Sequence, residues 1–200
     1  MKKKLAMFVF AAFVAAIAAQ SAQGQLSEEQ PKPPATGPTY KYVAFVGWGY
    51  SSLNQVNQSR SGVMGVSASV QRNFGRFFAI TAEGGHYSIA TTESNAVVGS
   101  PSVDLFLVGP EVRAPLFGPV DVFAHALLGG AHTGNVSIQP TVSFAGGMGL
   151  GADYNLNKRW AIRLSGDDIE SSFTLVPFQP GDSPHKRWNA RASFGVAYKF

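Results

Sequence analysis

The chain has no cysteine among its 200 residues, and only 14% of its residues are charged. Without cysteine, neither disulfide bonds nor thiol chemistry can contribute, so stability must come from packing and backbone hydrogen bonds. Beyond residue 24, no segment is apolar for long enough to form a membrane-spanning helix. If this protein enters a membrane, it must therefore cross it with strands.

The amino-terminal segment is basic and then apolar. Three lysines follow Met1, an unbroken apolar run covers residues 5–19, and small residues follow at 19–24. We predict a signal peptide at 1–24, cleaved within 19–25; a retained anchor is the alternative, although about 15 apolar residues are too few to span comfortably. Removing three lysines takes the formal charge from +4 to +1. The basic pI therefore gives no reason to expect a nucleic-acid partner.

Residues 25–39 contain four prolines and few residues able to form a core. We predict a Pro-rich periplasmic linker here, with a proline-recognition ligand as the alternative.

From Tyr40 onward, eight strand-like segments are separated by connections that alternate between long and short. The segments are 40–50, 62–73, 76–87, 103–114, 120–131, 141–154, 159–168 and 187–200. Long polar connections fall at 51–61, 88–102, 132–140 and 169–186, and short turns at 73–76, 115–119 and 155–158. Outer-membrane barrels alternate long extracellular loops with tight periplasmic turns. We therefore predict an all-β, eight-stranded antiparallel up-and-down transmembrane β-barrel over 40–200, with both termini periplasmic. A soluble lipocalin-like barrel is the alternative.

The last strand alternates strictly between two kinds of side chain. One face is apolar and the other is small or polar, as expected for lipid on one side and a polar lumen on the other. The apolar set is Trp188, Ala190, Ala192, Phe194, Val196, Tyr198 and Phe200. In the first strand the pattern is ambiguous, because both Tyr42/Ala44/Val46/Trp48 and Val43/Phe45 are apolar.

Applying the same alternation to the other strands gives a set of charged side chains that face the lumen. Such groups cannot face lipid, so inside a narrow barrel they must pair or stay hydrated. Either they form a structural plug, which we favour, or they line a selective pore. The predicted lumen network is Glu83, Glu111, Arg113, His125, Asp153, Arg163, Asp167 and Arg191.

Three segments carry a family resemblance. The Gly-rich sixth strand FAGGMGLGADY, the seventh strand RWAIRLSGDD and the closing FGVAYKF resemble the small OmpA/OmpX-type outer-membrane β-barrel proteins of Gram-negative bacteria. In that family the terminal aromatic strand is read by the barrel-assembly machinery. The resemblance therefore implies this machinery and outer-membrane lipid as partners, with Phe194, Val196, Tyr198 and Phe200 as the assembly signal. It implies little about activity.

Two further motifs do not support a cofactor or a metal. The run from Gly147 to Ala152 nearly matches a dinucleotide fingerprint, but a turn follows it where that motif requires a helix. We interpret its glycines as relieving crowding inside the barrel. His132 and His185 lie in predicted loops without metal-ligand spacing. We predict no cofactor and no metal.

His86 and Ser88 would share a face at the outer end of the third strand, with Glu83 and Glu93 nearby. A histidine beside a serine is acyl-transfer chemistry, and the pair is similar to the His-x-Ser of lipid A deacylases. However, the segment placed opposite offers Asp104 only near its loop end. We therefore predict a non-enzymatic outer-membrane barrel with a structural or surface-interaction role. The alternatives are a deacylase-like enzyme and a narrow ion-leaking pore, and no motif identifies an extracellular ligand.

Overall fold

The computed structural model describes residues 40–54, 60–90, 99–136, 142–171 and 188–200, and eight strands contain most of them. The predicted signal peptide (1–24) and linker (25–39) lie outside the described residues. No described residues form a helix long and apolar enough to cross a membrane. The strands are β1 Tyr42–Asn54, β2 Arg60–Phe74, β3 Phe78–Ala90, β4 Gly99–Phe117, β5 Val120–Val136, β6 Val142–Asn155, β7 Trp160–Ser171 and β8 Trp188–Lys199.

The strands form one closed antiparallel barrel in chain order. Each strand pairs with the next, and β8 pairs with β1 from Val43 opposite Lys199 to Ser52 opposite Ala190. Closure leaves no unpaired sheet edge, so all backbone groups within the wall can be satisfied internally. The prediction of an eight-stranded up-and-down barrel is confirmed.

Alternation along the strands makes the outer surface apolar. The side chains of Val46 and Trp48 are each 62% exposed, whereas those of Val43 and Phe45 are 1% and 6% exposed. The register with β8 resolves the ambiguous first strand, because it places Trp48 opposite the outward-facing Phe194. Exposed apolar side chains occur on the outer face of every strand.

Three short turns join strands at one end of the barrel, which we call the turn-side rim. Gly75 and Gly118 adopt positive φ there, at 81° and 52°, a conformation that glycine tolerates best. The opposite end is the loop-side rim. Our predicted strand ends were wrong at that rim, since β3 continues to Ala90 and β4 begins at Gly99. Polar residues continue these strands because pairing with a neighbour, rather than a hydrophobic pattern, satisfies the backbone.

Pro110 lies within β4 on the outer face. Pairing of β4 with β5 lapses between Val108 and Glu111 and then resumes without a change of register. The proline has no N–H to donate, so it sits where this ladder is interrupted.

Candidate functional site

The turn-side half of the lumen holds a buried charge cluster centred on Asp153. The Arg163 guanidinium makes two bonds to this carboxylate, Nε to Oδ1 at 2.7 Å and Nη2 to Oδ2 at 2.8 Å. Arg113 Nη2 lies 3.3 Å from the same Oδ2 and 3.2 Å from Glu111 Oε1. The Gln71 amide oxygen accepts from both guanidinium groups. Residues from β2, β4, β6 and β7 are thus tied together across the barrel.

A second charge cluster lies nearer the loop-side rim. His125 Nε2 is 2.6 Å from Asp167 Oδ1. Arg191 donates from Nε to Asp167 Oδ2 at 3.0 Å, and its Nη2 lies 2.9 Å from the same oxygen. Arg191 also pairs with Glu83 on β3. His125 Nδ1 is 4.0 Å from Glu111 Oε2, so the two clusters adjoin. Together they contain four carboxylates, three guanidinium groups and one imidazole, which sum to zero when the imidazole is protonated.

Lys199 closes the turn-side mouth of the lumen. Its ammonium group pairs with Asp121 at 3.6 Å, hydrogen-bonds Asn155, and lies 4.7 Å from the centre of the Tyr40 ring. The Tyr40 hydroxyl in turn accepts a hydrogen bond from Arg113 at 3.1 Å. Polar contacts therefore continue from the mouth to the inner clusters.

The loop-side half of the lumen holds a cluster of apolar side chains, with buried polar residues such as Ser51, Thr133 and Asn189 beside it. The burial of the apolar side chains is nearly complete; Tyr87, for example, is fully buried with its ring against Gly49 and Gly85. Packed apolar residues exclude water and hence ions. This apolar seal consists of Leu53, Val63, Tyr87, Val103, Leu105, Leu107, Leu127, Ala131, Ala145 and Ile169.

Gly149 on β6 makes room for the charge clusters. A Cβ built on Gly149 would collide with the Asp167 carboxylate and would lie 2.6 Å from His125 Nε2. Beside the clusters, a small cavity lined in part by Thr81 and Glu111 has room for about one water molecule. A cavity of this size cannot hold a continuous column of hydrated ions. The part of the lumen around the charge clusters, as far as the structure describes it, is therefore closely packed.

A separate polar cluster lies on the outer face, where lipid-facing residues would otherwise be apolar. His86 on β3 stands opposite Asp104 on β4, which stands opposite His132 on β5. His86 Nδ1 is 2.6 Å from Asp104 Oδ1, and His132 Nδ1 is 3.6 Å from Asp104 Oδ2. The three side chains are 54%, 48% and 44% exposed. No three metal-ligating side chains of the described ranges are arranged to hold a metal ion.

Ser88 lies two residues after His86, at an irregularity in the pairing of β3 with β2. Tyr87 is paired with Gly65 and Ile89 with Met64, so Ser88 is an extra residue in a β-bulge. Glu83 faces the lumen and pairs with Arg191, so it does not contact this group. Glu93 lies outside the described residues. The expectation that Asp104 lies at a loop end was wrong, since β4 begins five residues before it.

Neither a protein-family model nor a curated protein matches the chain. Solved structures do match. Neisserial surface protein A superimposes with a TM-score of 0.60 at 10% identity, covering 80% of this chain and 97% of that one. OprG from Pseudomonas aeruginosa superimposes with a TM-score of 0.52 at 9% identity, covering 82% of this chain and 97% of that one. Ail, the attachment invasion locus protein of Yersinia pestis, gives 0.51 at 14% identity, with 80% and 99% covered. The chain has the OmpA/OmpX-type outer-membrane barrel fold.

Within this barrel, the predicted lumen side chains all lie inside the wall and contact one another. They are Glu83, Glu111, Arg113, His125, Asp153, Arg163, Asp167 and Arg191. Phe194, Val196 and Tyr198 lie on the outer face of β8, and Phe200 follows the end of that strand. Whether these four act as an assembly signal stays a prediction.

Sequence reasoning missed Lys199 and the apolar seal. A signal for both was present in the alternation: Lys199 shares the face of Arg191, and Leu105 and Leu107 share the face of Glu111. These leucines were overlooked because an apolar residue facing the lumen looks the same, in sequence, as one facing lipid.

Proposed function

We propose that this protein is a non-enzymatic integral outer-membrane β-barrel with a structural or surface-interaction role, and with both termini in the periplasm. The filled interior is the observation that carries this proposal. Two paired charge clusters and an apolar seal occupy the lumen. We therefore expect the barrel to act through its outer surface and not as a passage for ions. Exposed apolar side chains around the wall support a membrane location.

A surface role is also in line with two of the similar structures, whose names describe a surface protein and an attachment invasion locus protein. Those names concern proteins that share only the fold with this chain. Specificity would lie in the connections at the loop-side rim, because loops on a rigid scaffold commonly carry recognition.

Membrane fractionation combined with a heat-modifiability gel tests the location. We expect the protein in the outer-membrane fraction, migrating differently before and after boiling. Recovery in the soluble periplasmic fraction would overturn the proposal. Planar-bilayer recording tests the filled lumen and the alternative of an ion-leaking pore: we expect no conductance steps, and regular steps would favour that pore.

A second candidate function, a lipid-modifying hydrolase, is favoured by the His86–Asp104 pair on the outer face. A carboxylate on Nδ1 orients an imidazole so that Nε2 can act as a base. Ser88 Oγ would attack an acyl ester carbon, and His86 would pass the serine proton to the departing alcohol. Water would then release the fatty acid. We rank this second because no described hydrogen bond joins Ser88 to His86.

Acyl release from lipid A by the refolded protein separates the two functions. We expect no release by the wild-type protein. If release is observed and Ser88→Ala and His86→Ala both abolish it, the enzyme is favoured. His132→Ala is the matched control, since the mechanism gives this neighbouring histidine no role.

A further inference from the structure

A continuous row of aromatic rings crosses the barrel's closing seam at the turn-side rim. Trp160 on β7 contacts Tyr198 on β8 with ring centres 4.7 Å apart, and Tyr198 contacts Phe200 at 5.8 Å. Phe200 stacks on Tyr42 of β1 at 5.7 Å. The row is an amphipathic surface of the kind that sits at headgroup depth.

Three cations extend this row along β1, β2 and the β2–β3 turn. Arg72 stands opposite Tyr42 in the register, with its guanidinium carbon 4.9 Å from the centre of the Phe74 ring. The guanidinium carbon of Arg76 lies 5.0 Å from the centre of the Phe77 ring. The Lys41 ammonium lies 5.9 Å from the centre of the Tyr42 ring. Stacking on rings restrains these long side chains at the rim.

No Asp or Glu side chain pairs with these cations among the described residues. The main-chain carboxyl oxygen of Phe200 lies at the same place, where it accepts hydrogen bonds from the backbone N–H groups of Lys41 and Tyr42 at 3.0 and 2.8 Å. None of the described ion pairs includes Lys41, Arg72 or Arg76. The described parts of β1, β2 and β8 contain no Asp or Glu. Glu83 of β3 faces the lumen, where it pairs with Arg191. By contrast, Lys199 at the same rim is paired with Asp121.

We propose that Lys41, Arg72 and Arg76 form a headgroup site for an anionic glycerophospholipid of the surrounding leaflet. The proposal rests on the membrane location given under the proposed function. Guanidinium groups suit phosphate because they can donate two parallel hydrogen bonds. The unneutralised charge selects an anionic headgroup, and the aromatic row beside it matches the boundary between headgroups and acyl chains.

Native mass spectrometry of the detergent-solubilised barrel tests the site, with phosphatidylglycerol and phosphatidylcholine as probes. Each basic residue near an anionic surface contributes about a fivefold gain in affinity. We expect wild type to prefer phosphatidylglycerol by about tenfold or more. The double variant Arg72→Gln/Arg76→Gln keeps only Lys41 and should reduce this preference to about fivefold or less, whereas Arg72→Lys should keep most of it. Inorganic phosphate at millimolar concentration should not displace the lipid.

The matched control is Lys158→Gln/Arg159→Gln, which removes two exposed cations from another turn of the same rim. An equal loss in this control would mean diffuse attraction and would overturn the site, as would a wild type without preference. Displacement by inorganic phosphate would also overturn a lipid-specific site. Insertion into phosphatidylcholine vesicles, scored by heat modifiability, is measured separately. Inserted protein that lacks the preference overturns only this inference, whereas protein that inserts into no vesicle overturns the proposed function as well.

Discussion

Arg163 and Asp153 face each other across two neighbouring strands and are joined by two hydrogen bonds of 2.7 and 2.8 Å. The Asp153 carboxylate is fully buried, and it also accepts a bond from Arg113. A buried carboxylate shared by two guanidinium groups is held by its partners, because each charge left alone would carry a large desolvation cost.

Asp153→Asn should therefore destabilise the barrel by about 3–5 kcal/mol, since it leaves excess positive charge buried in the lumen. Removing both partners, in Asp153→Asn/Arg163→Gln, should cost less than the sum of the two single changes. Urea unfolding in detergent micelles, followed by tryptophan fluorescence, measures the free energies. Additive effects would show that the two side chains do not stabilise each other.

Gly149→Ala should destabilise the barrel by about 1–3 kcal/mol, because the new methyl group would press on Asp167 and His125. Gly166→Ala on the neighbouring strand is the control. There, the nearest atom to an added Cβ is the Arg191 carbonyl oxygen at 3.9 Å, so we expect little change. The same unfolding assay compares the two variants, and equal losses would argue against the tight packing described here.

Leu128→Arg tests which surface faces lipid. Leu128 is 59% exposed and lies in the middle of β5, whereas Leu156 is 55% exposed in the β6–β7 turn. An arginine at the bilayer midplane costs about 2–4 kcal/mol, against about 0–1 kcal/mol near the interface. We expect Leu128→Arg to destabilise the barrel in vesicles by that larger amount and Leu156→Arg by the smaller. Equal effects would place the wall in water.

Phe200→Ala tests the assembly signal implied by the family resemblance. Phe200 is 56% exposed on the outer face, and Phe106 on β4 is 64% exposed. We expect Phe200→Ala to lower the amount of barrel assembled in the outer membrane several-fold, while Phe106→Ala lowers it little. Refolding yield in detergent serves as a second measurement, and there the two variants should behave alike. A similar loss for both in the membrane would contradict a specific signal.

Strand number, connection order and the facing of most side chains were determined by the sequence itself. These properties are local: a period of two assigns faces strand by strand, and turn residues mark where strands end. The closing strand is the clearest example, since Arg191 and Phe194 fall on opposite faces by position alone.

Only the tertiary structure decided which groups meet. The register between strands places Asp104 opposite His86, and closure of the barrel brings Glu83 from β3 to Arg191 on β8. Neither relationship is local, because register depends on pairing along whole strands and closure joins residues far apart in the chain. Closure also brought Leu107 and Leu127 together in the apolar seal. The sequence does not show this, because an apolar side chain can face either the lipid or the lumen.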